Sequence, residues 1–278
     1  VIIKGARTGQ DFDYEKLIHE VSLTQQRNLE TVLLFSDREL AHVSSSAAKE
    51  LARFQGLVHG YVPMHVKAAM ERKLGQRIIG VTGTIGSGKS TFCKSLATPP
   101  NIFSANPVHY INMDEIGHML FTSDLPIAQE TRWHLTERFG TIDRKQLGDM
   151  VFTHRPALND LNEIFRDPML TILREKLLGL KGTILLEGAL FTEMNWLFLC
   201  NNQIILVKTP SEQEHYNRLS ARGLTERQIQ NREESQYTFD EKLERITDAI
   251  CRDRFGKCVI HDTEVSDNSA TNFVLGNE

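Results

Sequence analysis

This sequence predicts an α/β fold built on parallel strands, on three observations. Glu30-Thr31-Val32-Leu33-Leu34-Phe35 and Gly182-Thr183-Ile184-Leu185-Leu186-Glu187 are continuous rather than alternating apolar runs, the pattern of strands buried on both faces. Segments with helical spacing lie between such runs. One run, Ile78, Ile79 and Val81, leads into Gly83-Thr84-Ile85-Gly86-Ser87-Gly88-Lys89-Ser90 and then into a helical pattern from Thr91 to Ala97. Strand, glycine loop and helix at the spacing G-x-x-x-x-G-K-[ST] make a phosphate-binding loop.

Each residue type in that loop has a physical task. The glycines let the backbone curl round an anion with successive N–H groups inward, and the following helix turns its positive end to the same point. Lys89 has the reach for β- and γ-phosphates, and the Ser90 hydroxyl can ligate Mg²⁺. Gly83, Thr84, Gly86, Ser87, Gly88, Lys89, Ser90 and Thr91 are therefore the candidate contacts for ATP, and Ser90 is the candidate metal ligand. A Gly/Ser-rich surface turn would need neither the strand before nor the helix after.

Composition narrows the field. A chain of 278 residues, 40% hydrophobic and 24% charged, is an ordinary globular protein with room for one large domain or two smaller ones. A net charge of -4 gives no electrostatic case for nucleic acid or an anionic membrane. Cys93, Cys200, Cys251 and Cys258 are scattered, without zinc spacing, and read as idle thiols in a reducing compartment. No apolar run approaches a membrane span, and the expected location is the cytoplasm. Val1-Ile2-Ile3 reads as a strand already under way, so the chain is expected to start inside a larger protein.

In order, Lys4 to Gly9 is expected to be a loop and Asp11 to Asn28 a helix, followed by the strand from Glu30 to Phe35. Ser46 is the expected cap of a helix from Ala47 to Phe54, and Pro63 opens another to about Arg72. A basic linker, Glu71-Arg72-Lys73-Leu74-Gly75-Gln76-Arg77, then precedes the phosphate loop, which places a domain boundary near Leu74 to Arg77. The predicted units are 1–74, half of an α/β domain, and 75–278.

Beyond the loop, Val108 to Asn112 reads as a strand with Asp114 at its C-terminal end, the edge where open parallel sheets bind ligands. A carboxylate about 25 residues after the loop lysine can face a hydroxyl opposite the γ-phosphate. Asp114 is thus the candidate for accepting that proton or for orienting it near Mg²⁺; the alternative is a cap on the helix Glu115 to Phe121, and both can hold. Ala128 to Phe139 is expected to be helical with Trp133 and Phe139 in the core, Lys145 to Phe152 helical, and Leu158 to Phe165 a helix separate from one opened by Pro168. Glu187 closes a buried strand, either as a second acid near Mg²⁺ through water or as a cap on the next loop. Gln203 to Lys208 is the next strand. Arg218 and Arg222 then share one helix face, and Thr225 starts a helix carrying Arg227 and Arg232. These arginines make either a lid that neutralises a transferring phosphoryl group or a solvated basic face. Cys258 to Asp262 is the last strand, with a polar tail from Thr263 that is expected to fray.

Lys4-Gly5-Ala6-Arg7, Asp11-Phe12-Asp13-Tyr14-Glu15, Glu30-Thr31-Val32, Ser44-Ser45-Ser46-Ala47-Ala48-Lys49-Glu50 and Val62-Pro63 together resemble the C-terminal half of phosphopantetheine adenylyltransferase. The resemblance implies a partial Rossmann-like nucleotidyltransferase segment, with Gly5, Arg7, Glu15 and the stretch Leu40 to Ser46, including Ser45 and Ser46, at positions that line that family's ATP site. Lys4 stands where the family usually has an arginine facing phosphopantetheine. The T-x-G-H signature of the family's first half is not in this chain, so adenylyl transfer is not expected from it alone.

From Ile78 to about Asp262 the chain is similar to dephospho-coenzyme A kinase. The matching residues are Gly80 to Thr91, Asp114, Phe139-Gly140, Ile142-Asp143-Arg144, Val151-Phe152, Leu161 to Ile164, Arg218, Arg222-Gly223, Arg232, Gln236 and Lys242. That resemblance implies a P-loop kinase with a helical lid, with the position of Asp114 as the base and those of Arg144, Arg218 and Arg222 contacting phosphates or substrate. Three sites depart: Asn112-Met113-Asp114 replaces Asp-x-Asp, Arg166-Asp167-Pro168 stands at a usual His-Pro, and Glu187-Gly188-Ala189-Leu190 replaces Asp-x-Pro-Leu. The order of the two parts resembles a bifunctional coenzyme A synthase without its first portion. The expected reaction is transfer of the ATP γ-phosphoryl to the ribose 3′-hydroxyl of dephospho-coenzyme A; the alternatives are a nucleoside-type kinase and a nucleotide switch without turnover.

Overall fold

The structure, a computed structural model, describes all residues except 100–103, 152–153, 210, 222, 224, 264, 266–267 and 277–278, with the side chains of 155, 212 and 214 also outside the description. The first elements are β1 (Ile2–Ala6), α1 (Gly9–Gln25), β2 (Thr31–Phe35), α2 (Ser45–Arg53) and α3 (Met64–Lys73). Next come β3 (Gln76–Thr82), α4 (Lys89–Leu96), β4 (Val108–Asn112), α5 (Met113–Thr122), α6 (Pro126–Phe139), α7 (Arg144–Val151) and α8 (Arg155–Leu177). The last are β5 (Gly182–Glu187), β6 (Gln203–Lys208), α9 (Glu212–Ala221), α10 (Glu226–Glu234), α11 (Phe239–Asp253), β7 (Lys257–Asp262) and α12 (Ser269–Leu275).

The α/β expectation holds: β3 to β7 form one parallel sheet in the order β4-β5-β3-β6-β7. Side chains alternate across it, as the strand period requires. Ile78, Ile184, Leu186, Ile204 and Leu206 join residues of α5, α6, α8 and α11 on one face. Ile79, Val81, Leu185, Ile205 and Val207 join α4 and α12 on the other. Helices on both faces account for the continuous apolar runs of β3, β5 and β6, and the order places the loop strand β3 at the centre.

Several sequence expectations are corrected by packing. Pro168 does not open a new helix but lies inside α8. The lost backbone bond and ring clash cost about 3 kcal/mol, while Leu170, Ile172, Leu173 and Leu177 on the same helix are buried against the sheet, each worth about 1.5–3 kcal/mol. Trp133 is exposed, because α6 turns Ala128, Thr131 and Leu135 to the core instead. The tail forms α12, whose Ala270, Phe273 and Val274 fill the second face of the sheet. Ser44, not Ser46, caps α2 by accepting from the Ala47 N–H.

The N-terminal segment behaves differently. Residues Lys4 to Ala6, expected in a loop, pair with Leu33 to Phe35 in a two-stranded parallel sheet of β1 and β2. That sheet is not buried as its apolar run predicts: Ile3 is 66% exposed, Leu34 57% and Phe35 79%. Helix α1 buries no residue at all. By contrast α3 is anchored to the larger unit. Its buried Lys67 binds Glu71 and the Asn201 Oδ1 at 3.0 Å, and Asn201 donates back to Glu71. The Gln55 carbonyl accepts from Arg174 at 3.0 Å, and the Gln55 amide donates to Gln76. The expected basic linker is therefore short: Glu71 and Gln76 are buried, and the chain turns at Leu74-Gly75, where Gly75 has φ 82°.

Candidate functional site

The phosphate loop follows β3 at the C-terminal edge of the sheet and ends at α4, as its spacing predicts. Gly83 is required there by proximity as well as by its φ of 151°, since a Cβ would come 2.4 Å from the Val207 carbonyl oxygen. Gly88, at φ 102°, is the N-cap of α4 in a conformation that side chains resist. Lys89 is buried and folds back, donating to the carbonyls of Gly83 at 3.1 Å and Thr84 at 2.7 Å. Thr84 also meets the Thr209 hydroxyl, and the Ile85 N–H donates to Gln236 at 3.1 Å. Gly86, Ser87 and Ser90 complete the rim of the loop, while Thr91 is exposed on the first turn of α4.

Opposite the loop, β4 and β5 end side by side, with Asn112 paired in register with Glu187. Glu187 is buried and accepts from Ser90 Oγ at 2.7 Å, from the Tyr110 phenol, and from Asn112 Nδ2 at 3.2 Å. It faces the loop serine rather than capping the next loop. Asn112 is the N-cap of α5, accepting from the Asp114 N–H at 2.8 Å. Asp114 is therefore not the helix cap, and its carboxyl is free of that task.

Two chambers meet at Asp114. One, of about 360 Å³, is lined by Gly86, Gly88, Lys89, Ser90 and Glu187. The other, of about 690 Å³, is walled largely by apolar side chains such as Phe121, Leu147, Phe165, Phe191 and Trp196. Asp114, Arg144, Asn162 and Arg232 line both. Crowding by protein atoms raises the Asp114 carboxyl above its ordinary value, with Lys89 pulling the other way, Glu187 reinforcing the rise, and Arg144 and Arg232 again opposing it. Although Asp114 is solvent-accessible, the solvent it meets is that of the crevice. A carboxylate between a phosphate loop and a roomy cavity can accept a proton from an alcohol seated in that cavity.

The arginines separate. Arg144 donates to His118 Nδ1 at 2.7 Å and lies over the Phe121 ring at the cavity mouth. Arg218, on α9, is half-buried and brings Nη1 within 3.6 Å of where a Gly88 Cβ would stand. Arg232 on α10 reaches both chambers, whereas Arg227 is exposed and lines neither. Arg222 lies outside the described residues. Buried Lys242, from α11, ties down the loop after β5 through the Ala189 carbonyl at 2.8 Å and the Glu193 carboxylate. Burial lowers its pKa, against the pull of Glu193.

Tyr110 went unnoticed at the level of sequence. The signal available was its period-two spacing from Asn112, which sets both on one face of β4. The N-terminal candidates gather as well: Lys4 bridges Glu15 at 3.0 Å, and Arg7 donates to the Val43 carbonyl at 2.9 Å and to Asp11. Gly5 sits beside them in β1, while Ser45 and Ser46 are exposed in the first turn of α2.

Comparison with known proteins finds relatives of two kinds. A family model described as dephospho-CoA kinase matches residues 77–254. A dephospho-CoA kinase of Dehalococcoides mccartyi is 32% identical over 180 residues, covering 60% of this chain and 84% of that protein. A phosphopantetheine adenylyltransferase of Latilactobacillus sakei is 44% identical over 73 residues, 26% of this chain, and the match spans only 44% of that relative. A crystal structure from Thermus thermophilus aligns with a TM-score of 0.54 at 26% identity, over 73% of this chain and 97% of that one.

Proposed function

The chain belongs to the dephospho-CoA kinase family, and on that premise we propose that it transfers the γ-phosphoryl group of ATP to the ribose 3′-hydroxyl of dephospho-coenzyme A. The observation that carries this reading is the shared wall: Asp114, Arg144 and Arg232 border both the phosphate loop and the apolar cavity. We assign residues 75–278 to the kinase and 1–74 to an adenylyltransferase-like segment.

ATP phosphates would lie along Gly83 to Thr91, with Lys89 exchanging its loop carbonyls for phosphate oxygens. Ser90 Oγ and, through water, Glu187 form a hard oxygen donor set that suits Mg²⁺. When bound, that ion would neutralise charge on the β- and γ-phosphates. The acceptor would occupy the apolar cavity, its ribose directed to the loop. Asp114 takes the 3′-hydroxyl proton as the oxygen attacks the γ-phosphorus, and the bond to the β–γ bridging oxygen breaks to release ADP. Arg144, Arg218 and Arg232 supply positive charge for the transferring group, the last two from a lid formed by α9 and α10, and Arg222 is assigned the same role from its place in the sequence. Gly5, Arg7, Glu15 and their neighbours contribute nothing to this transfer, and we expect no adenylyl transfer from this chain alone.

Among the described residues no helix is long and apolar enough to cross a membrane, and the cysteines are free; we place the protein in the cytoplasm. An assay supplying ATP and Mg²⁺ with dephospho-coenzyme A, nucleosides or water as acceptor tests the reading. Transfer to dephospho-coenzyme A is expected; preference for nucleosides would make it a different small-acceptor kinase.

A further inference from the structure

The two oxygens of Glu187 are used unequally. Oε1 accepts a hydrogen bond from the Ser90 hydroxyl at 2.7 Å, while Oε2 accepts from both the Tyr110 phenol and the Asn112 amide. The Asn112 Nδ2 also reaches the Tyr110 oxygen at 3.1 Å, and its Oδ1 holds the Asp114 N–H. One asparagine thus joins the carboxylate at the end of β5 to the turn that carries Asp114.

This arrangement answers a mechanical problem. A glutamate has one more side-chain torsion than an aspartate, so its carboxylate needs outside contacts to hold one position. Hydrogen bonds from a phenol and an amide to a charged acceptor are of the stronger kind. With Oε2 held from the β4 side, Oε1 is left to Ser90. The Ser90 O–H then points at Glu187, which turns its lone pairs toward the loop, the orientation a cation ligand requires.

We propose that Tyr110 is a positioning residue whose phenol, together with Asn112, fixes Glu187 so that Ser90 presents its lone pairs to the magnesium ion of the bound nucleotide. The inference rests on the magnesium reading given above.

Calorimetric titration of Mg²⁺ into the full chain saturated with ATP tests it, with parallel ATP titrations in EDTA. For Tyr110→Phe, ATP affinity in EDTA should stay within about twofold of the parent, while apparent Mg²⁺ affinity falls about 10- to 100-fold. Glu187→Asp, which draws the carboxylate out of reach of the phenol, should show a similar loss, and adding Tyr110→Phe to it should cost nothing more. Unchanged Mg²⁺ affinity in Tyr110→Phe, alongside a clear loss in Glu187→Gln, would overturn the role of Tyr110 alone. Unchanged affinity in Glu187→Gln as well would overturn the magnesium reading beneath it. A further loss on combining Tyr110→Phe with Glu187→Asp would also contradict the proposal, because the two would then act separately.

Discussion

Strands β2 and β5 are written in nearly the same residues, Thr-Val-Leu-Leu-Phe and Gly-Thr-Ile-Leu-Leu-Glu, yet they meet different environments. Leu185 and Leu186 of β5 are fully buried between helical layers, whereas Leu34 and Phe35 of β2 are 57% and 79% exposed. Both strands pair in parallel. The apolar run therefore encodes the strand and its pairing sense, but burial belongs to the neighbours that cover it. The larger sheet has α4 and α12 on one face and α5, α8 and α11 on the other. The smaller has one helix, α1, that buries nothing.

The largest expected difference between these regions lies in chemistry. Lys89→Ala should lower kcat/KM for phosphoryl transfer by about a thousandfold, whereas Arg7→Ala in the N-terminal segment should leave it within about twofold of the parent. A comparable loss in Arg7→Ala would join the two regions into one site. Next comes the anchoring of α3. Glu71→Ala leaves Lys67 buried without its charged partner, which should cost about 3–5 kcal/mol in denaturant unfolding. A cost near zero would detach α3 from the larger unit. The sheets themselves rank third: Leu185→Ala should cost about 2–5 kcal/mol, while Leu34→Ala should stay within about 0.5 kcal/mol. Equal costs would mean that β2 is covered in solution.

The smallest effect is in pH dependence. Crowding raises the Asp114 carboxyl above its ordinary value. A base must be ionised, so the acid limb of the kcat/KM profile should lie above pH 3.8, the ordinary carboxyl value. The sign for stability follows the same shift. The folded state holds this proton more tightly than the unfolded chain, so stability is lost as pH rises from 3.8 through the raised pKa. Asp114→Asn should consequently unfold at a slightly higher temperature than the parent at neutral pH and lose that advantage in acid. A lower melting temperature at neutral pH would contradict the raised pKa.

What could be read in the sequence follows the range of the interactions involved. The phosphate loop was legible because its spacing alone fixes its geometry. Strands β3 to β7 were legible from local apolar runs, and α6 was read from Ala128 to Phe139, two residues short of its start at Pro126. Trp133, Pro168 and the C-terminal tail were misread because tertiary packing decides each of them. Trp133 lies on the side of α6 away from the core, Pro168 is outweighed by the buried face of α8, and α12 forms against a sheet built more than sixty residues earlier at Leu185 and Ile205. In the candidate site, Lys89 and Ser90 were visible from the spacing of the loop, and Asp114 and Glu187 as acids at strand ends. The contact of Tyr110 with Glu187 was not, since it depends on the register of β4 against β5; the Asn112 cap is local, but the reading gave that task to Asp114.

Central to the account is Asp114 at the wall between nucleotide and acceptor. Rapid-quench single-turnover transfer, measured for the parent and Asp114→Asn alongside ATP binding by calorimetry, tests that placement most directly. The expected result is ATP affinity within about threefold and a transfer rate lower by about 100- to 10,000-fold. Equal transfer rates in the two proteins would remove Asp114 from the chemistry and contradict the account.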